Sequence, residues 1–134
     1  MDSRRINEEY AEIAHDLINS EPELADIKDS GVTIVYLSSE HEKKDKGKVV
    51  FGQCEKVAEK YKWGIPCDFT ITVFEPNVIK FTTEQIRILL FHELLHIGVE
   101  FNDDGISYSI RGHDLEDFKL IIDRFGTDWC KVDE

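Results

Sequence analysis

The sequence predicts a small single domain of the α+β class, in which helices pack on a short mixed or antiparallel sheet. Apolar residues recur at helical spacing near both ends of the chain, strand-like runs lie between them, and a long apolar segment follows a helix-capping sequence. With 134 residues, 41% of them hydrophobic, the chain can bury a core without disulfides. We expect one domain over residues 1–134, with a helical N-terminal segment at 1–30 and a core at 31–126.

The first third of the chain is predicted to hold helical segments followed by a strand. The helix covers 6–19, where apolar residues recur every three or four positions, and Pro22 ends it. Residues 23–29 are expected to add one or two helical turns. The β-branched run 32–37 predicts a buried strand, and the charged residues 38–48 predict a loop.

The middle of the chain is expected to contribute further strands. Residues 49–52 either begin a second strand or lead into a helix near 54–61. The segment 69–74 alternates apolar and polar residues, which is typical of a strand with one solvent-facing side.

A long helix is predicted to follow and to run to Val99, with Thr82 or Thr83 as its N-cap. After it, the acidic turn 102–105 leads into the alternating residues 106–110, which predict a short strand.

The long helix carries an unusual set of polar residues. His92, Glu93 and His96 form the pattern His-Glu-x-x-His inside the apolar run. Residues four apart share a helix face, so both imidazoles point the same way and can bind one Zn2+. Glu93 is then placed to act on a water molecule that the metal binds. Because a structural helix rarely carries three polar side chains on its apolar face, the pattern predicts a metal-dependent hydrolase site.

A hydrolytic zinc site needs a third protein ligand. The last predicted helix covers 115–125, with Gly126 as its C-cap, and His113 lies just before it. We expect His113 to be the third ligand, because the turn and strand after His96 are long enough to bring the chain back over the helix. The carboxylates that remain as alternatives are those of Asp114, Glu116 and Asp117.

At these residues the chain resembles a known family. The run His92-Glu93-Leu94-Leu95-His96, followed by His113-Asp114-Leu115-Glu116-Asp117-Phe118, is similar to the putative phage metallopeptidase family of small zincin-like domains from phages and bacteria. The likeness extends upstream to the strand at 68–73 and covers about the last two-thirds of the chain. It implies a zincin-like fold with the motif on a central helix, zinc ligands His92, His96 and His113, and Glu93 as the catalytic residue.

These features predict a zinc metallopeptidase acting on peptides or proteins, in which Glu93 accepts a proton from the attacking water. Asp114 or Asp117 either orients a ligand histidine or caps the last helix. The strand at 69–74 is expected to offer an edge on which an extended peptide lies. Tyr108 is interpreted as a packed or solvent-facing ring rather than an oxyanion donor.

Two alternative functions stay open. One is a zinc hydrolase of a non-peptide substrate, although the net charge of −12 argues against nucleic acids as ligands. The other is a non-catalytic, zinc-stabilised protein-interaction module, although such a structural site has no need of a carboxylate at Glu93.

The cysteine content and the absence of long apolar stretches bear on where in the cell the protein is expected. The cysteines Cys54, Cys67 and Cys130 are odd in number, lie far apart and form no C-x-x-C pair, so they indicate neither a disulfide framework nor a cysteine zinc site. We interpret them as small buried apolar residues. The chain contains no apolar stretch long enough for a membrane span, and its N-terminus lacks the apolar core of a signal peptide. We therefore expect a cytoplasmic protein, in a bacterium or a phage-infected host.

Overall fold

The structure is a computed structural model that describes residues 4–112, 118–126 and 129–130. Its strands are β1 (Arg4–Ile6), β2 (Ile34–Ser39), β3 (Lys44–Asp45), β4 (Lys48–Val49), β5 (Gly52–Lys56), β6 (Phe69–Phe74), β7 (Ile97–Asn102) and β8 (Gly105–Ile110). Its α-helices are α1 (Glu8–Ser20), α2 (Ala25–Ser30), α3 (Glu75–Val78), α4 (Thr83–Leu95) and α5 (Lys119–Phe125). Short 3-10 turns lie at Pro22–Leu24 and Glu59–Tyr61.

Four strands form one mixed sheet in the order β1-β2-β6-β5. Strands β2 and β6 run parallel, whereas β1 and β5 pair antiparallel with their neighbours. Two separate antiparallel hairpins, β3–β4 and β7–β8, complete the strands of the described residues. The prediction of an α+β fold with a short mixed sheet is confirmed.

The hydrophobic core lies between one face of the sheet and the helices. Phe69, Ile71 and Val73 of β6 are fully buried on that face. Helix α1 packs on both α4 and β2, and Asp16 of α1 forms an ion pair with Arg87 of α4 at 2.6 Å. Within the described residues, no helix is both long and apolar enough to cross a membrane.

Strand β6 differs from its predicted role in two ways. It is an interior strand, flanked by β2 and β5, so the prediction that 69–74 forms a free edge is wrong. Its second face is also largely buried, because Arg4 covers Thr72 at 3.4 Å and Lys43 lies over the Phe74 ring. The alternating sequence correctly predicted a strand at 69–74. It could not predict which strands lie beside it, because these come from distant parts of the chain.

The predicted long helix is also shorter than expected. Helix α4 ends at Leu95, and the residues up to Val99 begin β7 instead. Apolar residues continue on both sides of His96, which stands at this boundary, so the length of the run gives no sign of the change. Pairing with β8 decides the conformation, since Ile97 lies opposite Ile110 in the hairpin.

Smaller corrections concern the ends of other elements. The N-terminal helix begins only at Glu8, after strand β1, and Asn7 caps it. Two residues of the predicted loop at 38–48 extend β2, and two short strands form a hairpin inside it. Of the two readings of residues 49–61, the strand is right, as β5.

The C-terminal helix begins at Lys119, after an extended Phe118, so the prediction that it begins at 115 is wrong; residues 115–117 themselves lie outside the described residues. Its predicted end is confirmed. Gly126 adopts a φ of +78° and donates its N–H to the Ile122 carbonyl at 2.8 Å. Arg124 joins α5 to the end of α1 through two hydrogen bonds to Glu21.

Candidate metal centre

Helix α4 begins with a reciprocal capping arrangement. The Thr82 hydroxyl accepts from the Gln85 N–H at 3.2 Å, and the Gln85 side chain accepts from the Thr82 N–H at 2.8 Å. Because these bonds satisfy amides that the helix itself leaves without acceptors, they fix the helix start. Two turns later the buried stretch begins, and it continues through every residue from Ile88 to Leu95.

We expect Thr82→Ala to lower the free energy of unfolding by about 1 kcal/mol, because it removes the hydroxyl acceptor at the N-cap. Urea denaturation measures this loss. Thr83→Ala changes the neighbouring exposed residue without touching the capping bonds, so it serves as the matched control. An equal loss in both variants would contradict the assignment of the cap.

The motif residues come together at the C-terminal end of α4. His92, Glu93 and His96 each offer one ligand atom, and these atoms all lie within 4.8 Å of one another. The His92 Nε2 atom is 3.9 Å from Glu93 Oε2, and the two imidazole ring centres are 5.2 Å apart. Glu93 is 4% exposed and His92 is 9% exposed, so both side chains are held inside the protein.

The hairpin β7–β8 holds His96 in place. It begins directly after His96 and returns the chain so that Arg111 N–H donates to the His96 carbonyl at 2.6 Å. The Arg111 carbonyl in turn lies 2.6 Å from His96 Nδ1. Since a carbonyl oxygen can only accept, Nδ1 carries the proton in this contact, and Nε2 keeps the lone pair that a metal requires.

Aromatic rings line one side of the two histidines. The Phe118 ring packs edge-on against both imidazoles, at 5.4 Å from His92 and 4.9 Å from His96. The Arg111 guanidinium lies over the Phe118 ring, 5.6 Å from its centre. Trp129 lies 6.3 Å from the His92 ring. These contacts restrict the rotation of both imidazoles and shield part of the site from water.

Strand β5 lies beside the carboxylate. A side-chain carbon placed on Gly52 would stand 3.2 Å from Glu93 Oε2, so the strand backbone passes very close to this group. Neither Gly52 nor Arg111 was predicted from the sequence as a neighbour of the motif. Arg111 acts through its backbone, and Gly52 is brought near by sheet pairing, so neither carried a recognisable signal.

Comparison with known proteins identifies the family of the chain. A model of the family described as putative phage metallopeptidase matches residues 4–133, nearly the whole chain. The chain belongs to this family. No curated protein and no solved structure matches the chain. Membership in the putative phage metallopeptidase family implies a metal ion and a peptide or protein substrate, and it extends the predicted resemblance to the N-terminal helix.

The residues present fit the metal ion that the putative phage metallopeptidase family implies. Two nitrogen atoms bound to one zinc ion at about 2.0–2.1 Å lie at most about 4.2 Å apart. Ligand atoms within 4.8 Å of one another therefore need only small side-chain adjustments to share an ion. The protonated Nδ1 of His96 further suits binding through Nε2.

Of the other predicted site residues, four lie outside the described residues and one, Tyr108, is described. His113, Asp114, Glu116 and Asp117 lie outside the described residues. Tyr108 is packed, as interpreted from the sequence: its ring meets Phe69 edge-on, and its hydroxyl donates to the Ser30 carbonyl at 3.3 Å. It is therefore engaged away from the motif rather than available as an oxyanion donor.

Cys54, which lies near Glu93, has an unreactive thiol at neutral pH. Burial, together with the negative charge of nearby Glu93, raises the pKa of the Cys54 thiol far above its usual value. The thiol therefore stays protonated at neutral pH. For Cys54, this supports the interpretation as a small apolar residue rather than a nucleophile.

Proposed function

We propose that this protein is a zinc-dependent peptidase in which His92, His96 and His113 bind the metal and Glu93 is the general base. One observation carries the proposal: a buried carboxylate lies beside two histidines whose donor atoms are close enough to share an ion. A site that only stabilised the fold would close its coordination with cysteine or histidine and would not need this carboxylate.

Chain geometry supports His113 as the third ligand. The hydrogen bonds between Arg111 and His96 hold the chain beside the motif, and His113 follows Arg111 by two residues. Two residues span at most about 7 Å of fully extended chain. A histidine side chain attached there can therefore reach an ion held by His96.

The chemistry follows from these positions. Zinc held by the three histidines would supply Lewis acidity, which lowers the pKa of a water molecule to about 7 and polarises a carbonyl group. Glu93 is positioned to accept a proton from an attacking water molecule and to deliver it to the leaving amine. The buried position of Glu93 excludes competing bulk water and keeps the carboxylate next to the histidines.

We place the substrate along β5 rather than along β6. Among the described residues, strand β5 is an edge strand of the four-stranded sheet. Its backbone at Gly52 passes beside Glu93. A peptide in extended form can add to such an edge through main-chain hydrogen bonds. Its scissile bond would then lie close to the proposed base.

A peptide-library digest tests the proposal. We expect the protein with bound zinc to cleave members of the library, a chelator to abolish cleavage, and added Zn2+ to restore it. Metal analysis of the same samples is expected to give one zinc ion per chain. Bound zinc without any cleavage would favour a zinc-stabilised interaction module, and cleavage that persists in chelator would refute metal-dependent hydrolysis.

A further inference from the structure

Gly52, the first residue of β5, packs against the side chain of Glu93. A carbon atom added to Gly52 would lie 3.2 Å from Glu93 Oε2 and 3.3 Å from Glu93 Cγ. The same atom would stand 3.3 Å from the Thr72 carbonyl oxygen. These distances are shorter than ordinary contacts of a side-chain carbon, so even one methyl group would force a neighbour to move.

The backbone conformation does not explain a glycine at this position. Four other glycines, Gly31, Gly47, Gly105 and Gly126, have the positive φ angles that favour glycine, and Gly52 does not. Alanine could adopt the Gly52 backbone without strain. What glycine provides here is space, as is common where a strand backbone approaches another group closely.

The room for movement around Gly52 is small. Pairing with β6 holds Gly52 opposite Val73, and the Thr72 carbonyl blocks one side. Glu93 is 4% exposed and cannot turn out into solvent without leaving its buried position. The flexible end of the Glu93 side chain is therefore the group that would yield to a methyl group.

We propose that Gly52 is a positioning residue that fixes the Glu93 carboxylate by close backbone contact. This inference rests on the proposed function of Glu93 as the general base. Catalysis depends on a placement of the base within about 0.5 Å, and a misplacement of about 1 Å can cost about 100-fold in rate. A shift of a few tenths of an ångström uses up much of this tolerance, so we expect a smaller but measurable loss of proton transfer. The three atoms nearest to the added carbon belong to Glu93 and Thr72 rather than to either histidine, so we expect metal binding to be preserved.

Kinetics of Gly52→Ala tests this role. With full-length, zinc-bound protein, we expect kcat to fall about tenfold, while KM and zinc affinity stay within about twofold of wild type. Gly64→Ala is the matched control, because a side-chain carbon on Gly64 would meet no atom within 4 Å. Full kcat in Gly52→Ala, or an equal fall in Gly64→Ala, would overturn the proposal.

A double-mutant cycle tests the contact without any activity assay. In the full-length protein as purified, Gly52→Ala should lower the unfolding midpoint by about 3 °C, and by less than about 1 °C when Glu93 is already alanine. The reason is that Glu93→Ala removes two of the three close contacts of the new methyl group and leaves only the one to the Thr72 carbonyl. Equal shifts in both backgrounds would overturn the contact. An inactive wild type would instead refute the proposed function, while the cycle still reports on the contact.

Discussion

Replacing Glu93 with glutamine is expected to abolish peptide hydrolysis while leaving zinc content and the unfolding midpoint close to those of wild type. Glutamine has nearly the shape of glutamate, so it fills the same buried space between α4 and β5. Its amide cannot accept the proton of the attacking water. Since general-base catalysis contributes about 10²–10⁴-fold, we expect kcat to fall at least about 100-fold.

The measurement combines steady-state kinetics with metal analysis of the same Glu93→Gln preparation. Glu84→Gln is the matched control, because Glu84 is an exposed carboxylate on the same helix and loses the same charge. We expect Glu84→Gln to keep full activity. If Glu93→Gln also kept full activity, Glu93 would not be the base; if it lost its zinc, Glu93 would act as a ligand instead.

Most of the helix that carries the site could be predicted from the sequence. The capping residues Thr82 and Gln85 mark its start, and the spacing of His92 and His96 places both on one face. These are local signals, since each depends on residues within one or two turns. They hold because the helix satisfies its own backbone hydrogen bonds, whatever it packs against.

The partners of the site could not be predicted in the same way. Arg111 reaches His96 only because β7 and β8 pair, and its contribution is a backbone carbonyl that every residue possesses. The end of α4 was misplaced for a related reason, since apolar residues suit a buried helix and a buried strand equally well. The order of strands, which makes β5 the edge beside Glu93, likewise depends on long-range pairing.

His113→Ala is expected to lower zinc affinity by more than about 100-fold, because loss of even an indirect contact to a metal ligand costs about 10–100-fold. His113 itself lies outside the described residues, so the expectation depends on its neighbour. The paired hydrogen bonds between Arg111 and His96 hold the chain beside the motif two residues earlier. An imidazole at position 113 would then complete the proposed three-histidine set, which leaves one position for water.

Competition with a chromogenic chelator measures the zinc affinity of His113→Ala, and His15→Ala serves as the control, because His15 is exposed on α1. The alternatives are tested in parallel with Asp114→Asn, Glu116→Gln and Asp117→Asn. If His113→Ala kept wild-type affinity while one of these three lost it, the third ligand would be that carboxylate. A smaller loss, about tenfold, in Asp114→Asn or Asp117→Asn alongside the large loss in His113→Ala would identify the carboxylate that orients the ligand imidazole.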